Sequence, residues 1–374
     1  MGNFQERLSI IRKKLSQREE SIYLNTGVIG PLSDPAKLAL AEAAFGGKNG
    51  FFLVREASQE AKTAVAELLN AAPEEISLKN STTHGIYEAI FSLNWEKGDE
   101  ILVSDGEHHA VLRPALQLRE RFGVVIKYFK AASAESVSSL KAAITEKTKL
   151  AAFSHVSYIT GERLDVKALT AAAHAKNVPV LIDGAQSAGA IPVDIKDIGA
   201  EYYSIPGQKW LFGPQGTGAL FVKKSLWENY APVVNSEEKP WPYGDEKIFT
   251  DIKRWEPVLP SGIGLAAFAA SLRWFLNEVG PSDAFGAIKE TVSFARSACA
   301  GIKGLEVITP ENFAGLVSLR VKEKPAKDLL AFLNAKNIFA RTVDPAGFLR
   351  FSFSYFITEE EVQRLLEEIK NFLR

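Results

Sequence analysis

Val178-Pro-Val-Leu-Ile-Asp-Gly-Ala-Gln-Ser187 is a β-branched apolar run that stops abruptly at an acid and a glycine. A continuous apolar run of this length reads as a strand buried on both faces, and Asp183-Gly184 as the turn that ends it. A helix-like stretch from Val166 to Ala175 leads into it, and the same rhythm repeats outward. Upstream lie Glu100-Ile-Leu-Val-Ser104, a helical pattern from Ala110 to Arg121, then Val124 to Phe129 and Leu150 to Val156. Downstream come the short strands Tyr202 to Ile205 and Ala219 to Val222. Strands alternating with helices predict βαβ units, an α/β fold and a largely parallel, doubly covered sheet. Ligands of such open sheets gather beyond the carboxyl ends of strands, so Asp183 stands where a functional carboxylate is expected.

The whole chain agrees with a folded enzyme-sized protein. Its 374 residues, 46% apolar and 24% charged, are ordinary globular values, long enough for two domains at roughly 100–200 residues each. Lys+Arg 44 against Asp+Glu 45 leaves a formal net charge of -1, so neither nucleic acid nor a membrane is an expected partner. The single cysteine, Cys299, excludes an internal disulfide framework and multi-cysteine metal sites, and no metal is expected. Met1 to Glu20 mixes apolar and charged residues, unlike a signal peptide. No apolar run approaches the roughly 18 residues of a membrane span. The expected location is the cytoplasm. Between Tyr230 and Pro260 the pattern breaks at Pro240, Pro242, Pro257 and Pro260, which reads as a long excursion. Beyond it Gly264 to Glu278, Ala284 to Ala300, Leu316 to Val321, Ala326 to Ala335, Phe348 to Ser352 and Glu359 to Arg374 alternate as an α+β unit. The expected division is a helical segment over 1–22 near the small domain, a large domain over 23–262 and a small C-terminal one over 263–374.

Several residues then invite chemistry. Lys209 lies between a Pro-Gly turn and Trp210-Leu-Phe212, a setting that desolvates an amine, lowers its pKa and makes it nucleophilic. Gly213, Gly216 and Gly218 precede a strand rather than a helix, so they predict a tight turn beneath the lysine and not a dinucleotide fingerprint. Asp183 and Gln186 suit a pyridine ring, the acid at its nitrogen and the amide at its oxygen; an Asp-Gly pair serves equally as a plain turn. Asn80-Ser-Thr-Thr-His-Gly85 ahead of the helix-like Ile86 to Leu93 places hydroxyls and free N–H groups at a helix start, a phosphate site or a simple cap. His108, after the strand ending at Ser104, is placed to lie over a flat ligand. Arg350, a charge in an apolar strand-like run, calls for a carboxylate partner, from a substrate or from the chain itself.

Taken together, Thr82-Thr83, Glu107-His108, Asp183-Gly-Ala-Gln186, Gly207-Gln-Lys209, Gly213-Pro-x-Gly-x-Gly218, Arg254-x-Glu256 and Arg350 resemble the class V aminotransferase family of pyridoxal-phosphate enzymes. Asp183-Gly-Ala-Gln-Ser-Ala-Gly189 and the ending Arg341-Thr342, Arg350 and Thr358-Glu-Glu-Glu361 are most similar to the cysteine desulfurase and cystine C-S lyase branch. The resemblance implies the fold type I architecture, with a mostly parallel seven-stranded sheet in the large domain. It implies pyridoxal phosphate as cofactor, with Lys209 as its Schiff-base lysine, His108 stacked on the ring and Asp183 at the pyridine nitrogen as catalytic groups. Thr82, Thr83, Gln186, Ser204 and Gln208 complete the cofactor set, and Arg350, Asn25 and Tyr158 hold an amino-acid substrate. It also implies a homodimer with shared sites, Arg254-Trp-Glu256 reaching toward the partner.

The departures narrow the chemistry. Desulfurases of the family carry a nucleophilic cysteine on the loop after Arg-Thr, whereas here Arg341-Thr-Val-Asp-Pro-Ala-Gly347 has none. Pro206 and Leu259 replace two hydroxyl residues expected at the phosphate. The leading expectation is a C-S lyase acting by β-elimination on cysteine- or cystine-like substrates without a persulfide cysteine. An aminotransferase or epimerase-like member is the alternative within the family, and a non-catalytic binding relative the alternative outside catalysis. Tyr158, Trp241, Tyr243 and Trp255 are the candidate pocket aromatics.

Overall fold

A computed structural model describes residues 11–12, 15, 21–45, 50–131, 135–227, 251–257, 260–344 and 346–374. Leu259, Trp241, Tyr243 and most of the 1–22 segment lie outside the described residues. Among those described, Arg12 pairs with Glu361 of the C-terminal helix at 2.8 Å.

The strand predicted over 178–182 forms as β6 (Val180–Asp183), the centre of a seven-stranded sheet. The other members are β2 (Ile76–Lys79), β3 (Glu100–Ser104), β4 (Val125–Phe129), β5 (Thr148–Ser154), β7 (Tyr202–Pro206) and β8 (Gly218–Val222). Their order is β2-β8-β7-β6-β5-β3-β4. Only β8 runs against the rest. Val180 and Ile182 enter one buried cluster and Leu181 the other, so the sheet is covered on both faces and its strands carry near-continuous apolar runs.

The exception at β8 follows from its connection. β7 and β8 are joined without a crossover helix, and the loop between them is drawn tight by Gly207 N donating to Thr217 O at 2.9 Å and Gly213 N to Gly207 O at 2.9 Å. A Cβ on Gly207 would lie 2.2 Å from Thr217 Oγ1, so only glycine fits there. This is the tight turn predicted from the glycines, and Lys209 sits on it.

Helices α1 (Asp34–Phe45) and α2 (Gly50–Leu69) pack with α8 (Gly262–Trp274). Between strands come α3 (Thr82–Phe91), α4 (His109–Phe122), α5 (Ser136–Ala143), α6 (Val166–His174) and α7 (Ile195–Ile198). The apolar pattern predicts α3 from Ile86, yet the helix starts at Thr82. Ser81 Oγ accepts from His84 N at 3.1 Å and caps it a turn earlier, because a cap rather than apolar periodicity sets a helix start.

The C-terminal part holds an antiparallel sheet ordered β12-β13-β10-β9, with β9 (Leu305–Val307), β10 (Leu316–Val321), β12 (Arg341–Val343) and β13 (Phe348–Ser352). Strand β11 (Ile338–Phe339) pairs in parallel with β1 (Ile22–Tyr23). Helices α9 (Pro281–Ala300), α10 (Ala326–Ala335) and α11 (Glu359–Leu373) accompany it. The boundary expected after Gly262 falls on the first residue of α8. No helix among the described residues is long and apolar enough to cross a membrane.

Candidate active site

In this sheet the chain passes from β3 to β4 on one side and from β5 to β6 on the other, so a crevice opens beyond the carboxyl ends of the neighbours β3 and β5. A cavity of about 290 Å³ lies here, and Thr82, Thr83, His108, Tyr158, Asp183, Gln186, Gln208, Lys209 and Arg350 all line it. Nine sequence-predicted residues from six separate segments therefore converge.

Asp183 ends β6, and its Oδ1 accepts from Ala185 N at 2.8 Å. Burial raises its pKa, while the Lys209 ammonium and the Ala185 N–H oppose the rise. Lys209 rises from the β7–β8 loop into the same space. Burial lowers its amine from the usual range to about 8, against the pull of Asp183, and Arg350 and Arg341 lower it further. The desolvated amine expected from the flanking apolar residues is therefore present.

His108 caps α4, its Nδ1 accepting from Ala110 N at 3.1 Å. That bond fixes the ring, which meets Tyr158 edge-on with centroids 5.0 Å apart. Burial and then the Lys209 charge hold His108 down at about 4, so the imidazole is neutral near pH 7. Gln186 lines the cavity, but its amide is already partly used: Nε2 donates to Gly27 O at 2.8 Å and Oε1 accepts from Trp210 Nε1 at 3.0 Å. One amide N–H of Gln186 is left for a ligand.

Arg350 is 1% exposed. Its Nη1 donates to Tyr158 O at 2.7 Å, while Nε and Nη2 have no partner among the described residues. Thr82 Oγ1 and Gln208 Oε1 are likewise buried without a partner among the described residues. Buried polar groups are normally paired, so this cluster of unpaired ones marks where a ligand completes the structure.

A model of the family Aminotransferase class-V matches residues 52–365. The chain belongs to the aminotransferase class-V family. The probable cysteine desulfurase of Methanothermobacter thermautotrophicus is 27% identical over 390 aligned residues, covering 96% of this chain and 97% of that relative. That of Halalkalibacterium halodurans is 26% identical and covers 86% and 84% respectively. Among solved structures, the complex of the cystine C-S lyase C-DES with its reaction product cysteine persulfide is 25% identical with a TM-score of 0.89, covering 94% of this chain and 98% of that one. A lysine-to-alanine mutant of C-DES with glycine covalently linked to its PLP cofactor is 25% identical, has a TM-score of 0.90 and covers 96% and 99%. The cysteine desulfurase of Thermococcus onnurineus NA1, 22% identical, shares the fold at a TM-score of 0.89.

In this class-V member some expected contacts are indirect or absent. Ser204 is not among the lining residues; its Oγ donates to Thr82 O at 3.0 Å beneath the start of α3, so it supports the helix end. Asn25 is not among the lining residues, where Gly27 and Val28 stand, and its Oδ1 is buried without a partner among the described residues. Arg254 is buried with its guanidinium donating to Trp227 O, and Trp255 packs on Tyr202 in the second core cluster, so neither reaches the cavity of this chain. Pro206 does line the cavity.

Two charged residues join the wall that were not singled out as site residues, Arg341 and Asp344. Strands β12 and β13 place Arg341 directly opposite Arg350, so the two side chains share one face of the sheet. A hairpin prediction over Val343 to Phe348 is the signal that would have paired them.

Proposed function

We propose that this protein is a pyridoxal-phosphate-dependent C-S lyase that eliminates the sulfur substituent from cysteine- or cystine-like amino acids. The observation that carries the reading is a desolvated lysine between Asp183 and an arginine with unused donors, in a cavity whose neighbouring loop has no thiol. The residues fit the cofactor. Thr82, Thr83 and the start of α3 suit its phosphate, Asp183 its pyridine nitrogen, the remaining Gln186 N–H its ring oxygen, and the neutral His108 ring its face. When bound, pyridoxal phosphate supplies an electron sink for negative charge developing at the substrate α-carbon.

The chain supplies the rest. Arg350 Nε and Nη2 bind the substrate carboxylate in a fork and set the orientation of the α-carbon. Lys209 Nζ, lowered to about 8, is neutral often enough at that pH to take the α-proton. The C–H and C–S bonds of the substrate break and sulfur departs with the bonding pair, so no oxidant is required. For L-cystine the balance is cystine plus water giving pyruvate, ammonia and cysteine persulfide. A desulfurase route through the chain's own thiol finds no group, since Cys299 is 1% exposed in α9 and burial pushes its pKa up to about 12.

Support for a homodimer comes from α1, where Leu38 is 61% and Phe45 90% exposed, two turns apart on one helix face. The deciding experiment incubates the holoenzyme with L-cystine and no keto acid, and measures pyruvate, ammonia and persulfide. Equal yields of all three are expected. Turnover that appears only when a keto acid is added would replace this reading with that of an aminotransferase.

A further inference from the structure

Glu107 is a buried carboxylate that none of the steps above uses. It follows β3 on the loop that carries His108, and it is 4% exposed. Its Oε1 accepts from Ser154 N at 2.8 Å and from Ser104 Oγ, and its Oε2 accepts from Ser154 Oγ at 2.7 Å. Ser104 is the last residue of β3 and Ser154 the last of β5, the two strands between which the crevice opens. Ser154 in turn registers with Asp183 on β6, and His155 N donates to Asp183 O at 3.0 Å. One side chain therefore bridges the end of β3, whose following loop carries His108, and the end of β5, which lies beside Asp183 of β6. Taking a carboxylate out of water is costly, and here burial raises it to about 7 while the serine donors lower it. Three convergent donors offset that cost at one geometry only.

We propose that Glu107 is a positioning residue: it clamps the ends of β3 and β5 so that the His108 ring and the Asp183 carboxylate keep the separation a cofactor ring needs. The clamp is geometric. An amide of the same shape satisfies it, with the glutamine oxygen accepting from Ser154 N and Ser104 Oγ while its N–H donates to Ser154 Oγ. A methyl group does not, and a shorter carboxylate cannot span both strand ends.

The inference rests on pyridoxal phosphate as the cofactor, and its test separates the two. Holoenzyme variants Glu107→Ala, Glu107→Gln and Glu107→Asp are compared by visible circular dichroism per bound cofactor, by kcat and KM with L-cystine, and by Tm. An achiral ring acquires that dichroism only from fixed placement, so a variant that is merely less stable keeps the signal of its folded fraction. Val292→Ala, which removes a fully buried side chain in α9, supplies the matched loss of stability. Glu107→Ala is expected to lose at least half of the dichroism and about 10–100-fold in kcat, the scale of a displacement of about 1 Å. Its KM should move less. Glu107→Gln should stay close to the parent, and Glu107→Asp should fall between, which keeps the test decisive where Glu107→Ala does not fold. Parent-like dichroism and kcat in folded Glu107→Ala or Glu107→Asp would overturn the clamp, as would a Glu107→Gln impaired as badly as Glu107→Ala. If the parent itself showed no cofactor band, the cofactor reading would fail instead.

Discussion

The carboxyl rim of the large sheet and the edge of the antiparallel sheet both wall the cavity, and they are finished to different degrees. On the rim, Glu107 has three donors, Gln186 is tied to Gly27 and Trp210, and Ser204 is tied to Thr82. On the antiparallel edge, Arg350 keeps Nε and Nη2 unpartnered among the described residues, beside a second guanidinium across the strand pair. A rim whose side chains are largely held by the protein, with Thr82 Oγ1, Gln208 Oε1 and one Gln186 N–H left open, is preorganised for a ligand that stays. An edge with unused cationic donors leaves those bonds to be made by a ligand that comes and goes. The difference supports the proposed division, with the cofactor on the rim and the substrate at the edge.

The largest break in that comparison is Lys209→Ala, which removes the amine between the two walls. Pyruvate formation from L-cystine should fall by at least about 1,000-fold, the span of lost proton transfer and covalent catalysis together. A residual rate near the parent's would end the assignment. Next come paired changes, one on each wall. Asp183→Asn should depress kcat severely with KM little altered, whereas Arg350→Ala should raise KM and lower kcat/KM by about 100-fold, the cost of a lost charged fork. Steady-state kinetics on the two variants checks this; the opposite pattern would exchange the roles of the walls.

A pH series sharpens the same contrast. Because burial lowers Lys209 to about 8 and only the neutral amine is nucleophilic, uptake of pyridoxal phosphate by the apoprotein should accelerate as pH rises through about 8 and level off above it. Stopped-flow absorbance across roughly pH 6 to 10, about two units on either side of the amine's titration, would show it. His108, already deprotonated above about 4, contributes no step in that window. The smallest effect is expected away from both walls. Cys299→Ala should lower stability by about 1 kcal/mol through a small cavity and leave kcat unchanged, as measured by denaturant unfolding and turnover. A lost kcat would return the thiol to the mechanism.

Much of the architecture was readable in the chain because its causes are local. Strands Leu316–Val321 and Phe348–Ser352 and helix Ala326–Ala335 form with the predicted ends. Each apolar pattern begins directly after a breaker, Gly315, Pro325 or Gly347. Strand β2 was not read. Its Ile76-Ser-Leu-Lys79 alternates as a half-exposed strand would, yet all four residues are buried. Lys79 enters the interior because Glu88 of α3 pairs with it and Trp255 O, 176 residues away, accepts from it. The same reason governs the site. Thr82, His108, Asp183, Lys209 and Arg350 could be named from turns, strand ends and family resemblance, whereas Arg341, quoted there only within a motif, and Asp344 gain their place in the wall from the strand that lies beside β13.

By itself the sequence determined the alternation of buried strands and helices, the carboxylate at the end of β6, the glycine-built loop under Lys209 and the missing loop cysteine. These are matters of periodicity, turn chemistry and residue identity, which act over a few neighbouring positions. Only the tertiary structure decided that Ser204 ties to Thr82, that Arg341 lines the cavity beside Arg350, and that Glu107 joins two strand ends. Those outcomes depend on strand order and register, where a shift of one residue turns a side chain to the opposite face, so long-range packing rather than local preference makes the choice.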